Sequence, residues 1–251
     1  MVPIVLQHGL LGFGQFELGK LKLSYFHKID RALADRGHPL IVSRVHPTGP
    51  IRMRALQLKR TIREESKRQG IKGRVVIVAH SMGGLDARYM IAKLGMAEHV
   101  AALVTVSTPH RGSPYADWCL ANIGTRLGGL KLMKFLGLDV RAVHDLTLEH
   151  CRHFNEQVPD HADVAYFSIS AARPFHRVPA FMMHSHKLIN DCEGPNDGVV
   201  SVASATWGEH LETWPCDHLH AINKRLVPEI RNRTGDIVPY YLKMVERVTR
   251  G

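Results

Sequence analysis

The chain has 251 residues, 45% of them apolar, enough to bury one sizeable core without a second domain. No apolar run reaches the roughly 20 residues of a bilayer-spanning helix, and no repeat or low-complexity tract is present, so neither a helical membrane anchor nor a repeat architecture is expected. The formal charge of +10 comes from 33 basic and 23 acidic residues. The basic residues are scattered over helical patterns (Lys59-Arg60, Arg63, Lys67-Arg68, Lys224-Arg225, Arg231) without interleaved aromatics. That reads as a solvated surface with weak attraction to anionic lipid or acidic partners, not as a nucleic-acid interface. Met1 leads directly into the first strand with no charged n-region or apolar h-region. The expectation is a cytoplasmic protein, or a secreted one whose signal has been removed.

The apolar run at residues 3–7 predicts a buried strand that ends in His8-Gly9-Leu10-Leu11-Gly12. A helix over 25–35, a strand over 40–46 and a helix over 52–69 follow. Val75-Val76-Ile77-Val78 lies in a strand over 74–79 that runs into Ala79-His80-Ser81-Met82-Gly83-Gly84 and then a helix over 82–93. Strands are predicted over 101–107 and 163–169, weaker ones over 199–202 and 210–213, and an amphipathic helix closes the chain at 237–248. This alternation predicts an α/β fold, a mostly parallel central sheet with helices on both faces. The domain is read as a single unit, 1–251, with a helical insertion over about 113–160. In the insertion Leu120, Ile123, Leu127, Leu130, Leu132, Met133, Phe135, Leu136 and Leu138 recur at near-helical spacing. A mobile lid with an apolar underside and a fixed helical cap fit that spacing equally.

The strand–Ser81–helix junction has the pattern of a nucleophile elbow, in which a sharp turn projects the serine hydroxyl clear of the sheet. Gly83 supplies a small neighbour, and Ala79 stands where the usual pattern has a second glycine. A serine hydroxyl needs a histidine base, an acid to orient it, and N–H donors for the oxyanion. Downstream, Asn196-Asp197-Gly198 and Asp217-His218-Leu219-His220 supply candidates in the order serine, acid, histidine. Ser81, Asp197 and His218 are the predicted catalytic set, with Asp191 and His220 as the competing acid and base. Leu10 and Met82 are the predicted oxyanion donors, and Leu11, Leu132, Phe135 and Leu136 the predicted acyl-chain contacts. His80 reads as a packing residue and His8 as a brace for the oxyanion loop.

On these motifs the chain resembles the bacterial triacylglycerol lipases of the α/β-hydrolase fold. The likeness is carried by the elbow continuing as Gly84-Leu85-Asp86-Ala87-Arg88-Tyr89, by Ser107-Thr108-Pro109-His110-Arg111-Gly112-Ser113, and by Asn196-Asp197-Gly198-Val199-Val200. Tyr25-Phe26, Arg54-Ala55-Leu56-Gln57-Leu58 and Ile222-Asn223 after His218 add to it, and it is weakest over 115–160. The resemblance implies a cofactor-free ester hydrolase for lipids or other esters with apolar acyl chains, in transient contact with a lipid surface. It also implies a structural calcium with an aspartate ligand two residues after the histidine. That position is His220 here, and Lys224 and Pro228 replace the family's loop glutamine. Calcium prefers oxygen ligands, so no metal of that type is expected. Cys192 and Cys216 flank the acid and histidine segments and read either as a disulfide or as reduced thiols. The remaining histidines of the 17, including His184 and His186, match no standard zinc spacing. Acyltransferase and thioesterase chemistry would use the same triad, and a silent binding protein would carry the same scaffold.

Overall fold

The structure, a computed structural model, describes residues 1–12, 15–18, 21–123, 140–224 and 236–250, with the backbone alone at 15–18, 21–23 and 123. Six strands form one sheet: β1 (Ile4–Gln7), β4 (Leu40–Val42), β5 (Val75–His80), β6 (Val100–Val106), β7 (Ala165–Ala171) and β8 (Glu209–Trp214), in the order β4-β1-β5-β6-β7-β8. Every neighbouring pair is parallel. A separate antiparallel hairpin, β2 (Gln15–Leu18) with β3 (Leu21–Ser24), was not legible in the sequence.

Parallel strands require crossovers, and the helices that make them cover both faces of the sheet. Strand alternation sorts the core. Ile4, Leu6, Val76, Val78, Val104 and Val106 face helices α1 (Ile29–Asp35) and, at the C-terminus, 238–250. Val5, Ile77, Ala79 and Leu103 face α2 (Ile51–Gln69) and α3 (Gly83–Lys93). The fold class read from the sequence is therefore the one observed. Among the described residues, no helix is long and apolar enough to cross a membrane.

Boundaries differ where local chemistry intervenes. The helix predicted from residue 25 starts at Ile29, because Lys28 takes a left-handed φ of 64°. The strand predicted over 199–202 is absent. Asp197 Oδ1 accepts the N–H groups of Val199 and Val200 at 2.9 and 2.8 Å, curling the chain into the short helix 202–205.

The described part of the insertion is packed helix: α4 (Pro114–Ile123), α5 (Val140–His144) and α6 (Leu148–Gln157). Ala142, Cys151, Phe154 and Val158 form a cluster with Ile51, Met82 and Leu85, against which Leu10 packs. The Ser81 turn and the loop after β1 thus sit where these helices meet the sheet. α7 (Met183–Glu193), in the His-rich stretch, was not predicted. Leu127, Leu130, Met133 and Leu138, on which the lid reading rests, lie outside the described residues.

Candidate active site

In a parallel sheet, residues that follow successive strands gather at the carboxyl edge. β1 delivers His8-Gly9-Leu10 there, β5 delivers Ser81, β6 Ser107-Thr108 and β8 the His218 loop. Asp197 arrives after β7 by way of α7.

Ser81 has a φ of 55°, a left-handed conformation that a side chain other than glycine adopts only under constraint. The constraint is visible. Ser81 N–H donates to the Val106 carbonyl at 2.9 Å, and its own carbonyl accepts the Thr108 hydroxyl at 2.7 Å. Room for the turn comes from glycines: a Cβ on Gly83 would lie 2.8 Å from the His8 carbonyl oxygen, and one on Gly9 would lie 2.7 Å from Ser81 Cβ.

His218 Nε2 lies 3.1 Å from Ser81 Oγ, and its Nδ1 lies 2.7 Å from Asp197 Oδ2. Asp197 is fully buried. With Oδ1 held by the two backbone N–H groups that curl the loop, Oδ2 is left for the histidine. The loops are also joined by a backbone bond, His218 N–H to Asp197 carbonyl, at 3.0 Å. Nδ1 is thereby the donor and Nε2 the acceptor facing the serine hydroxyl. The competitors are placed elsewhere. Asp191 is exposed and paired with Lys187 at 2.8 Å, while buried His220 follows in a short 3-10 turn.

Leu10 and Met82 N–H groups donate to no acceptor among the described residues, whereas the neighbouring Gly9, Leu11 and Gly12 N–H groups are engaged. A buried layer fixes this loop. Arg54 donates to the His8 carbonyl at 2.6 Å and to the His46 carbonyl at 2.7 Å, and its Nε reaches Asp86 Oδ2 at 2.9 Å. Gln7 Nε2 joins the same Asp86 oxygen at 2.7 Å. Burial pushes the Asp86 carboxyl up to about 6 against the pull of Arg54. His8 Nδ1 donates to the Gly9 carbonyl at 2.9 Å, and burial, then the Arg54 charge, lowers this imidazole to about 4. Tyr25 Oη accepts Gly9 N–H at 3.3 Å and meets His80 Nδ1 at 2.8 Å. The His80 ring lies 4.5 Å from that of His218, and burial, then the His218 charge, holds it well below the ordinary imidazole range.

Of the predicted acyl contacts, Leu11 is on the rim of this site and 57% exposed; Leu132, Phe135 and Leu136 lie outside the described residues. The sequence singled out neither Arg54 and Asp86 as a buried pair nor Tyr25 as a loop anchor. A charge inside the apolar stripe Ile51, Ala55, Leu58, Ile62 was the available signal for Arg54. Cys119, Cys151, Cys192 and Cys216 are free thiols, Cys192 exposed and Cys216 buried. Away from the site, His144, Asp145 and His150 bring donor atoms within 4.8 Å of one another, a grouping the sequence reading did not single out. One Asp145 oxygen there already accepts Ile51 N–H at 2.7 Å.

A six-stranded parallel sheet with a strained serine at the carboxyl end of β5, and a histidine and an aspartate delivered by later strands, defines the α/β-hydrolase class. Residues 53–170 match the model of the PGAP1-like alpha/beta domain. The chain is 30% identical to triacylglycerol lipase 2 of Saccharomyces cerevisiae over 92% of its own length and 74% of the relative's. It is 35% identical to the triacylglycerol lipase of Pseudomonas fragi over 50% of this chain and 41% of that one. Among solved structures, the mature lipase BlEst2 of Bacillus licheniformis aligns over 97% of this chain and 91% of its own, with a TM-score of 0.74 at 22% identity. The Staphylococcus hyicus lipase aligns over 99% and 95%, with a TM-score of 0.77 at 15% identity. The chain belongs to the triacylglycerol lipase family and is a carboxylic ester hydrolase.

Proposed function

We propose that the chain cleaves carboxylic esters with apolar acyl chains, lipids among them, through Ser81, His218 and Asp197. The observation that carries the reading is the continuous hydrogen-bonded line Ser81 Oγ, His218, Asp197, set beside two undonated N–H groups. Ser81 attacks the ester carbonyl as His218 Nε2 takes its proton, and Asp197 stabilises the imidazolium. The N–H groups of Leu10 and Met82 receive the oxyanion, each contributing about 3 kcal/mol to the transition state. His218 protonates the departing alcohol, then activates water to release the acid from the acyl-enzyme.

Exposed apolar side chains support transient contact with a lipid surface: Leu11 on the oxyanion loop, Trp118 on α4 and Phe181 ahead of α7. The net charge of +10 favours anionic surfaces. The test is hydrolysis of p-nitrophenyl esters from acetate to palmitate, with fluorophosphonate labelling, for wild type and Ser81→Ala. The variant is expected to lose labelling and about 10⁴-fold or more of kcat while staying folded. Retained turnover would remove Ser81 as nucleophile, and selective cleavage of acyl thioesters would transfer the site to that substrate class.

A further inference from the structure

The loop that carries His218 starts two residues after β8, and its geometry depends on what pins Asp217, the residue before the histidine. Asp217 Oδ1 accepts the N–H groups of Leu219 and His220 at 3.1 and 2.9 Å. Its Oδ2 accepts a hydrogen bond from Arg173 Nη1 at 2.6 Å. Both side chains are buried, 7% and 5% exposed. The carboxylate is thus fully committed, and a guanidinium sits where its charge is answered. The position at which the resemblance implies a calcium-binding aspartate is His220, itself buried. These residues do not fit a calcium site: among the described residues of this loop the one carboxylate, Asp217, already carries a cation from the chain.

Arg173 also reaches the acid loop. It lies two residues beyond β7, its N–H donates to the carbonyl of Asn196, the residue before Asp197, at 3.0 Å, and its own carbonyl accepts His186 Nε2 at 2.8 Å. One residue therefore ties the backbone of the aspartate loop to the side chain of the histidine loop. We propose that Arg173 is the resident cation of the His218 loop, a positioning residue that sets the His218–Asp197 contact and makes activity independent of divalent ions. This inference rests on the reading of His218 as the base.

A buried ion pair is little screened by salt, and a covalently attached cation cannot be chelated. A positional error of about 1 Å at a reacting group costs on the order of 100-fold in rate. Wild-type kcat and melting temperature are expected to be unchanged after dialysis against EDTA and after calcium is added back. Arg173→Met should lower kcat about tenfold or more with KM changed less than about threefold, and should move the acid limb of the kcat profile. Arg173→Lys keeps a charge but loses the planar fork, and should recover part of that loss. Because Arg173→Met leaves Asp217 buried and unpaired, Arg173→Met with Asp217→Leu is measured beside it. The double variant removes the stranded charge and should regain part of the melting temperature, the N–H groups of Leu219 and His220 still lacking their acceptor, while kcat stays low. Full kcat in the double variant, or wild-type activity abolished by EDTA and restored by calcium, would overturn the proposal. His218→Ala, assayed in parallel, separates the two readings: activity surviving there refutes the base, whereas its loss there with full activity in the double variant refutes Arg173 alone.

Discussion

Tyr25 shows how a single buried hydroxyl can brace the loop that carries the predicted oxyanion donor Leu10. Its oxygen accepts Gly9 N–H at 3.3 Å and shares a second hydrogen bond with His80 Nδ1 at 2.8 Å, so one group ties the loop after β1 to the turn after β5. Tyr25→Phe keeps the ring packing against Phe26 and leaves Gly9 N–H and His80 Nδ1 without a partner. Stability should fall by about 1–3 kcal/mol, read by urea denaturation. Gly9 adjoins the predicted donor Leu10, so kcat should also drop about tenfold, with fluorophosphonate labelling slowed to the same degree. Unchanged kcat would mean that His8 and Arg54 hold the loop without the phenol. Gly9→Ala should be harsher on activity, since its methyl group would press on Ser81 Cβ at 2.7 Å.

At the scale of elements, α2 and α3 meet the end of β1 through Arg54 and Asp86, a charged contact inside a hydrophobic layer. Arg54→Met strands a buried carboxylate and should cost about 3–5 kcal/mol. Arg54→Met with Asp86→Leu removes both charges and should recover part of that in thermal denaturation, Gln7 Nε2 and the His8 carbonyl remaining without their partners. Its kcat should stay low, because the His8 carbonyl has still lost its donor. Recovery of both would make the pair purely structural. This layer also marks the limit of what the sequence made legible. Strand and helix alternation, the elbow and the order of Ser81, Asp197 and His218 could be read because they are local patterns or motifs in a fixed chain order. The partners of Arg54 are 32 and 46 residues away in the chain, and no periodicity encodes such a meeting. Arg173 and Asp217, 44 residues apart, stayed hidden for the same reason. The strand expected over 199–202 failed because the Asp197 carboxylate captures two backbone donors, a side-chain effect that overrides the β-propensity of Val199-Val200.

Across the whole molecule these buried groups set how stability responds to acid. His8, His80 and His110 are all but fully buried. Burial and nearby positive groups lower His8 to about 4 and hold the other two well below the ordinary imidazole range. Each is neutral in the folded chain and, once unfolded, titrates near 6.5. Between those values the unfolded chain binds more protons, so the stability these groups contribute is complete above about pH 6.5 and is lost as pH falls. The slope is about 1.4 kcal/mol per pH unit for each histidine. Asp86 works in the opposite sense. With its carboxyl raised to about 6, the folded chain keeps a proton that the unfolded chain has released, and this adds stability as pH falls through the same window. Among these four groups the three histidines outweigh the one carboxyl, so their balance is destabilising as pH falls. Denaturant midpoints should therefore be flat from pH 9 to 7 and fall steeply from 6 to 4. His110→Gln should remove about one proton from the slope, since Gln cannot take the charge that the Arg88 guanidinium, 3.3 Å from His110 Nδ1, opposes. An unaltered slope in that variant would show that His110 is protonated in the folded chain, and the acid sensitivity would then fall to His8 and His80 on either side of Tyr25.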